Sequence, residues 1–197
     1  PPQLTAFTGM DALAHCLEAY CSPFFHPLSQ GIAIEGISIV HKYLLTAFKD
    51  GENIEARGNM LAASSMGSTA FQKGLGAIHS LSHPVGAIYN THHGLTNAVF
   101  MPYVLIKNKD AIENRIESLA RYINLPDPNF DGFIKWILDL RNKLTVPHTL
   151  KELIKDDEKF EEMSVMAFND PSTGGNPIQL TDKDFLQLYR DAYNGKL

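Results

Sequence analysis

Two cysteines, Cys16 and Cys21, and a single tryptophan are all that this chain of 197 residues holds of those residue types. Two thiols so close together cannot staple a fold, so a disulfide framework is excluded and a reducing compartment, the cytoplasm, is expected. Basic charge is short as well. Seventeen Lys and Arg stand against 22 Asp and Glu, a net charge of −5. No basic stripe is left to neutralise a phosphate backbone, which argues against a nucleic-acid partner. No apolar run approaches the ~20 residues of a membrane span, and no signal peptide is visible. The alternation of strands is missing throughout. No G-x-G-x-x-G follows a strand, and Gly74-Leu75-Gly76 is too short and lacks a βα setting. An initiator Met is lacking too. The chain starts Pro1-Pro2-Gln3-Leu4 and enters a helix within ten residues, so it is expected to be a piece of a longer or processed protein.

What remains is helical. The balance of 44% hydrophobic and 20% charged residues is ordinary for a globular domain, and the length suits one domain over residues 1–197. Thr8-Gly9-Met10-Asp11 reads as a capping-box variant opening a helix that runs to about Cys21. The apolar residues of Leu28 to Phe48 fit a buried helix, ended by Lys49-Asp50-Gly51. Asn53 is placed to cap the next helix, Ile54 to about Phe71. Its small residues (Ala62, Ala63, Ser64, Ser65, Gly67) suit the centre of a multihelical domain. Ala77–Tyr89 follows, with Pro84 expected to kink or interrupt it. Further helices are read from about Gly94 to Lys109, Ala111 to Ile123, Phe130 to Leu144, Asp157 to Phe168 and Thr181 to Tyr193. The fold class is all-α. Phe24, Phe25 and Trp136 are read as core or interdomain packing, and Asp170, Ser172 and Asn176 as a structural turn.

Histidines break this pattern. Four of the eight, His79, His83, His92 and His93, fall within GAIHSLSHPVGAIYNTHHGL. Asp11 and His15 are four apart in TGMDALAHCLEAY and project from one helix face. A carboxylate with several imidazoles is the ligand set that zinc or iron prefers. A buried imidazole needs a partner, and a metal satisfies several at once. Spacing favours Asp11, His15, His79 and His83, because His79 and His83 are also four apart. His93, near a helix start, competes with His83 for the last place, and local geometry does not choose between them.

The segments GMDALAHCLEAY, KGLGAIHSLSHPVGAIYNTHHGLTNAVFMPYV and, more weakly, DPSTGGNPIQLT resemble the C-terminal domain of iron-containing (group III) alcohol dehydrogenases. The resemblance covers essentially the whole chain and implies a dehydroquinate synthase-like multihelical domain. It implies that Asp11, His15, His79 and His93 hold Fe2+ or Zn2+, and that His83 lies beside substrate and nicotinamide. It also implies an N-terminal nucleotide-binding α/β domain that precedes Pro1 and binds NAD or NADP. The activity implied is interconversion of an alcohol with an aldehyde or ketone, with His83 relaying the proton. The partners implied are a small alcohol or aldehyde and that N-terminal domain; a membrane is not expected, and a homo-oligomer is left open. The late loop departs from the family in reading Asn176-Pro177-Ile178 where many members carry Asn-Pro-Arg. Ser172 stands where some have Cys, and His92 is an extra histidine expected to face solvent or a loop.

Two other readings compete. A metal-dependent hydrolase needs a nearby carboxylate as general base, and Glu18 and Glu35, the acids close in sequence, are not expected to join the clusters. A helical scaffold with a structural metal prefers a closed site and has no use for His83 beside it.

Overall fold

The 3.6-residue periodicity that runs through the sequence produces nine α-helices and no strand. The computed structural model describes all residues, Pro1–Leu197. The helices are α1 (Pro2–Cys21), α2 (Pro27–Lys49), α3 (Ile54–Ala70), α4 (Ala77–Tyr89), α5 (His93–Lys107), α6 (Lys109–Tyr122), α7 (Phe130–Lys143), α8 (Phe160–Phe168) and α9 (Asp182–Asn194). One continuous hydrophobic cluster of 49 buried residues joins them.

α1 is the pivot. It packs on α2, α3 and α5, while α4 packs on α5 and α8. Three glycines let these helices come close. A Cβ on Gly94 would collide with the Phe7 carbonyl oxygen and lie 3.0 Å from Asp11 Cβ. A Cβ on Gly67 would lie 3.0 Å from His15 Cβ, and one on Gly9 would collide with the Leu44 side chain. Gly94 therefore lets the start of α5 press on α1 beside Asp11, and Gly67 does the same for α3 beside His15.

Several expectations are corrected. The first helix starts at Pro2, with Pro at its first turn, so Thr8 is interior and its hydroxyl donates to the Leu4 carbonyl instead of capping. α2 buries only one stripe, including Ala33, Ile37, Val40 and Leu44, while Ile32, Ile34 and Tyr43 are partly exposed. By length and composition α2 is also apolar enough to cross a bilayer, contrary to the expectation that no apolar run approaches a membrane span. Its buried stripe is used against α1 and α3. α3 is peripheral rather than central: Ala56, Ala63, Gly67 and Ala70 are buried, and Ala62, Ser64 and Ser65 are exposed. Phe24 and Phe25 are exposed on this domain rather than part of its core, which leaves interdomain packing as their reading, whereas Trp136 packs against Phe133 and His41.

Pro84 does not break α4, nor does Pro102 break α5. Both prolines are buried, and the helices continue through the missing N–H groups. Asn53 caps α3 through a 2.9 Å bond from Ala56 N–H, as its position suggested. The late loop folds into a 3₁₀ turn, Pro171–Gly175, with Asp170 as its N-cap.

Candidate metal centre

Three helices converge where the histidines meet. Asp11 and His15 come from the middle of α1, His79 and His83 from the first two turns of α4, and His93 is the first residue of α5. Asp11, His15 and His79 offer ligand atoms that all lie within 4.8 Å of one another. His93 Nε2 adds a fourth from the far side, 3.4 Å from Asp11 Oδ1. His79 is 1% exposed and His93 43%. The set is buried at one end and open at the other.

Asn97, one turn after His93, tests whether these donors suit a cation. Its side-chain NH2 lies 2.7 Å from Asp11 Oδ1, 3.0 Å from His93 Nε2 and 3.2 Å from His79 Nε2. An amide nitrogen has two protons and cannot serve three acceptors. Its own Oδ1 is buried without a partner. One carboxylate and two imidazole nitrogens crowded around a polar group that underserves them, with His15 beside them, are a donor set that a divalent cation satisfies in full.

Ionisation in the cluster follows burial and neighbours. Burial, with the nearby His79, holds His15 below the ordinary imidazole value against the pull of Asp11. Burial also lowers His93 against the pull of the Asp11 charge, with the surrounding imidazoles adding to the lowering. Both are thus neutral, as metal ligands must be. His79 moves the other way. Burial pushes it down, but the Glu18 charge and hydrogen bond, with Asp11 and Asp170, outweigh that and raise it.

His83 sits beside this set rather than inside it. Its ring stacks on His93 at 5.4 Å with 13° between planes. Its Nδ1–H donates to Asp170 Oδ2 at 2.7 Å, and the side chain is 41% exposed. Asp170 Oδ1 takes the Ser172 N–H at 2.8 Å. Burial opposes the Asp170 charge, but the bonds from His83 and Ser172 keep its carboxyl below the usual range. Asp170 thus both caps the turn, as expected, and orients His83, which was not expected. His92 is exposed, 5.1 Å from the Phe7 ring.

The family description that matches residues 5–193 is "Fe-containing alcohol dehydrogenase family, C-terminal". The chain belongs to the iron-containing alcohol dehydrogenase family. It is 37% identical to a 4-hydroxybutyrate dehydrogenase of Cupriavidus necator, over 98% of the chain and 52% of that relative. It is 34% identical to alcohol dehydrogenase 4 of Saccharomyces cerevisiae (strain YJM789), over 98% of the chain and 51% of the relative. Among solved structures, a 1,3-propanediol oxidoreductase superposes with a TM-score of 0.93 at 30% identity, covering 98% of this chain and 52% of that one. The chain spans about half the length of the relatives it matches. The all-helical fold is the one that these iron-type dehydrogenase structures share with it.

For this family member, sequence reasoning missed one residue of the centre, Asn97, and set aside another, Glu18. Glu18, judged to stand apart, is bonded to His79 Nδ1 at 2.6 Å. The signal was there: Asp11, His15 and Glu18 follow i, i+4, i+7 spacing and line one face of α1. Asn97 carries the same signal, four residues after His93. Asn176 is buried and forms a reciprocal amide pair with Asn108, 2.9 Å each way, while its Oδ1 also caps the Ala77 N–H. Nothing in the local sequence announces that pairing across 68 positions.

Proposed function

We propose that the chain is the metal-binding half of an NAD(P)-dependent alcohol dehydrogenase that interconverts a small alcohol and its aldehyde or ketone. The observation that carries this is the convergence of Asp11, His15 and His79 within 4.8 Å, with His93 beside Asp11 and the exposed His83 next to it. Asp11, His15, His79 and His93 would hold Fe2+ or Zn2+. When bound, the cation supplies Lewis acidity toward the substrate oxygen, and the nicotinamide takes or gives the hydride. Support for a nucleotide-binding half comes from the relatives, about twice as long as the chain. An "NADPH-dependent butanol dehydrogenase" of Clostridium saccharobutylicum is among them.

The chain's own residues divide the remaining work. Asp11 would bring negative charge to the cation, and the three imidazoles would hold it while leaving the outer side of the cluster accessible. His83 moves a proton between the alcohol oxygen and solvent. Its Nδ1–H is committed to Asp170, so Nε2 is the atom that accepts and returns it. Phe71 lies 5.5 Å from the His15 ring and adds an apolar face on that side.

Glu18, one of the two acids weighed as a hydrolase base, is not free for that role: it uses both carboxylate oxygens on His79 Nδ1 and the Ile78 N–H. Elemental analysis of the purified protein and of its Asp11→Ala and His79→Ala variants tests the centre. Both substitutions are expected to empty it; unchanged metal content in both refutes the ligand set.

A further inference from the structure

Glu18 is 7% exposed and forms no ion pair with a lysine or arginine. A buried carboxylate is costly unless hydrogen bonds and opposite charge compensate it. Its two oxygens have separate partners. Oε1 accepts the Ile78 N–H at 2.7 Å, at the second position of α4, where unpaired backbone N–H groups and the positive end of the helix meet an anion. Oε2 accepts from His79 Nδ1 at 2.6 Å. A carboxylate only accepts, so Nδ1 carries the proton and Nε2 presents its lone pair, 3.9 Å from Asp11 Oδ1. Ile78 and His79 are adjacent, so one side chain of α1 sets both where α4 begins and which nitrogen of His79 faces the centre.

We propose that Glu18 is a positioning residue for the metal centre, locking His79 in the Nδ1–H tautomer and seating the start of α4 against α1. This rests on His79 being a metal ligand, as argued under Proposed function. A carboxylate on the far nitrogen makes the imidazole a better donor and removes the freedom to turn. Glutamine cannot reproduce the arrangement: with its oxygen on His79, its NH2 meets the Ile78 N–H, donor against donor.

The test is a Zn2+ titration of the purified protein against a competing chelator. Glu18→Gln is expected to weaken Zn2+ binding about 10- to 100-fold. Asn176→Ala is the control: it removes the neighbouring cap on Ala77 and the Asn108 pair without touching His79. It is expected to lower Tm while leaving Zn2+ affinity within about threefold. Ring 15N NMR of the Zn2+-loaded protein should show His79 protonated at Nδ1 in the wild type and loss of the strongly hydrogen-bonded Nδ1–H signal in Glu18→Gln. If Glu18→Gln does not fold, Glu18→Asp, which keeps the charge but is one methylene short, replaces it and is expected to bind Zn2+ more weakly than Asn176→Ala. Zn2+ affinity equal to wild type in the Glu18 variant, or an equal loss in Asn176→Ala, overturns the proposal while leaving the metal centre standing. A wild-type protein that takes up no Zn2+ overturns both.

Discussion

The inner and outer ends of the histidine cluster are built from the same parts and placed in opposite surroundings. His79 and His83 lie one turn apart on α4, and each gives its Nδ1–H to a carboxylate, Glu18 at 2.6 Å and Asp170 at 2.7 Å. The inner residue is 1% exposed and the outer 41%. Burial strengthens the inner pair electrostatically and leaves its imidazole one available nitrogen, pointed at Asp11. Exposure leaves the outer imidazole within reach of solvent, where a proton can come and go. The same carboxylate–histidine pair thus serves both ends, and on the proposed function access to water separates the residue that would anchor a cation from the one that would move a proton.

Breaking each end separately gives the largest contrast. His79→Ala is expected to abolish metal retention and, with it, all activity. His83→Ala should keep the metal and lower kcat of an active full-length enzyme by about 100-fold, the usual worth of a proton-transferring side chain. Metal analysis beside steady-state kinetics separates the two, and loss of metal in His83→Ala would erase the distinction. Gly94→Ala attacks the inner end through the backbone. The added Cβ meets the Phe7 carbonyl and Asp11 Cβ, so overpacking of about 2 kcal/mol is expected in denaturant unfolding. Weakened metal binding should accompany it, because α5 and His93 must move away from α1.

Asp170→Asn sharpens the outer end alone. It is expected to reduce kcat on the order of tenfold with metal content unchanged, since His83 loses the anion that orients it. Thr181→Ala, far from both ends, sets the floor. It removes the N-cap of α9 and should cost about 1 kcal/mol in thermal unfolding with no effect on metal. It also has a pH signature. The Lys107 ammonium, with the Thr181 bonds, holds the Asp184 carboxyl down at about 2. That group adds stability above the usual carboxylate range and loses it as pH falls toward about 2. The variant should therefore lose less stability than the wild type on acidification through that window.

Much of the fold was legible because helix signals are local. Asn53, Thr181, the turn residues near Asp50 and the 3.6-residue apolar stripes each act within one or two turns, and the helices follow them to within a few residues. Thr8 misled because a hydroxyl inside a helix can bond back to the carbonyl four residues earlier, which looks like a cap in sequence. Pro84 misled as an interruption because the packing that overrides a missing N–H comes from other helices. α3 misled for a related reason: small residues allow close approach on one face, and composition does not say that the other face stays exposed.

The centre divides along the same line. Residue type and the i, i+4 spacing within α1 and α4 gathered Asp11, His15, His79 and His83 as candidate ligands, because helix geometry fixes which side chains share a face. The relation of His83 to His93, the bond from His79 to Glu18, the convergence on Asn97 and the pairing of His83 with Asp170 were decided by how α1, α4, α5 and the Pro171–Gly175 turn pack together. Those contacts join residues 61 and 87 positions apart. Spacing within a helix is a property of the chain; distance between helices is set by which side chains, here glycines at Gly67 and Gly94, allow them to touch.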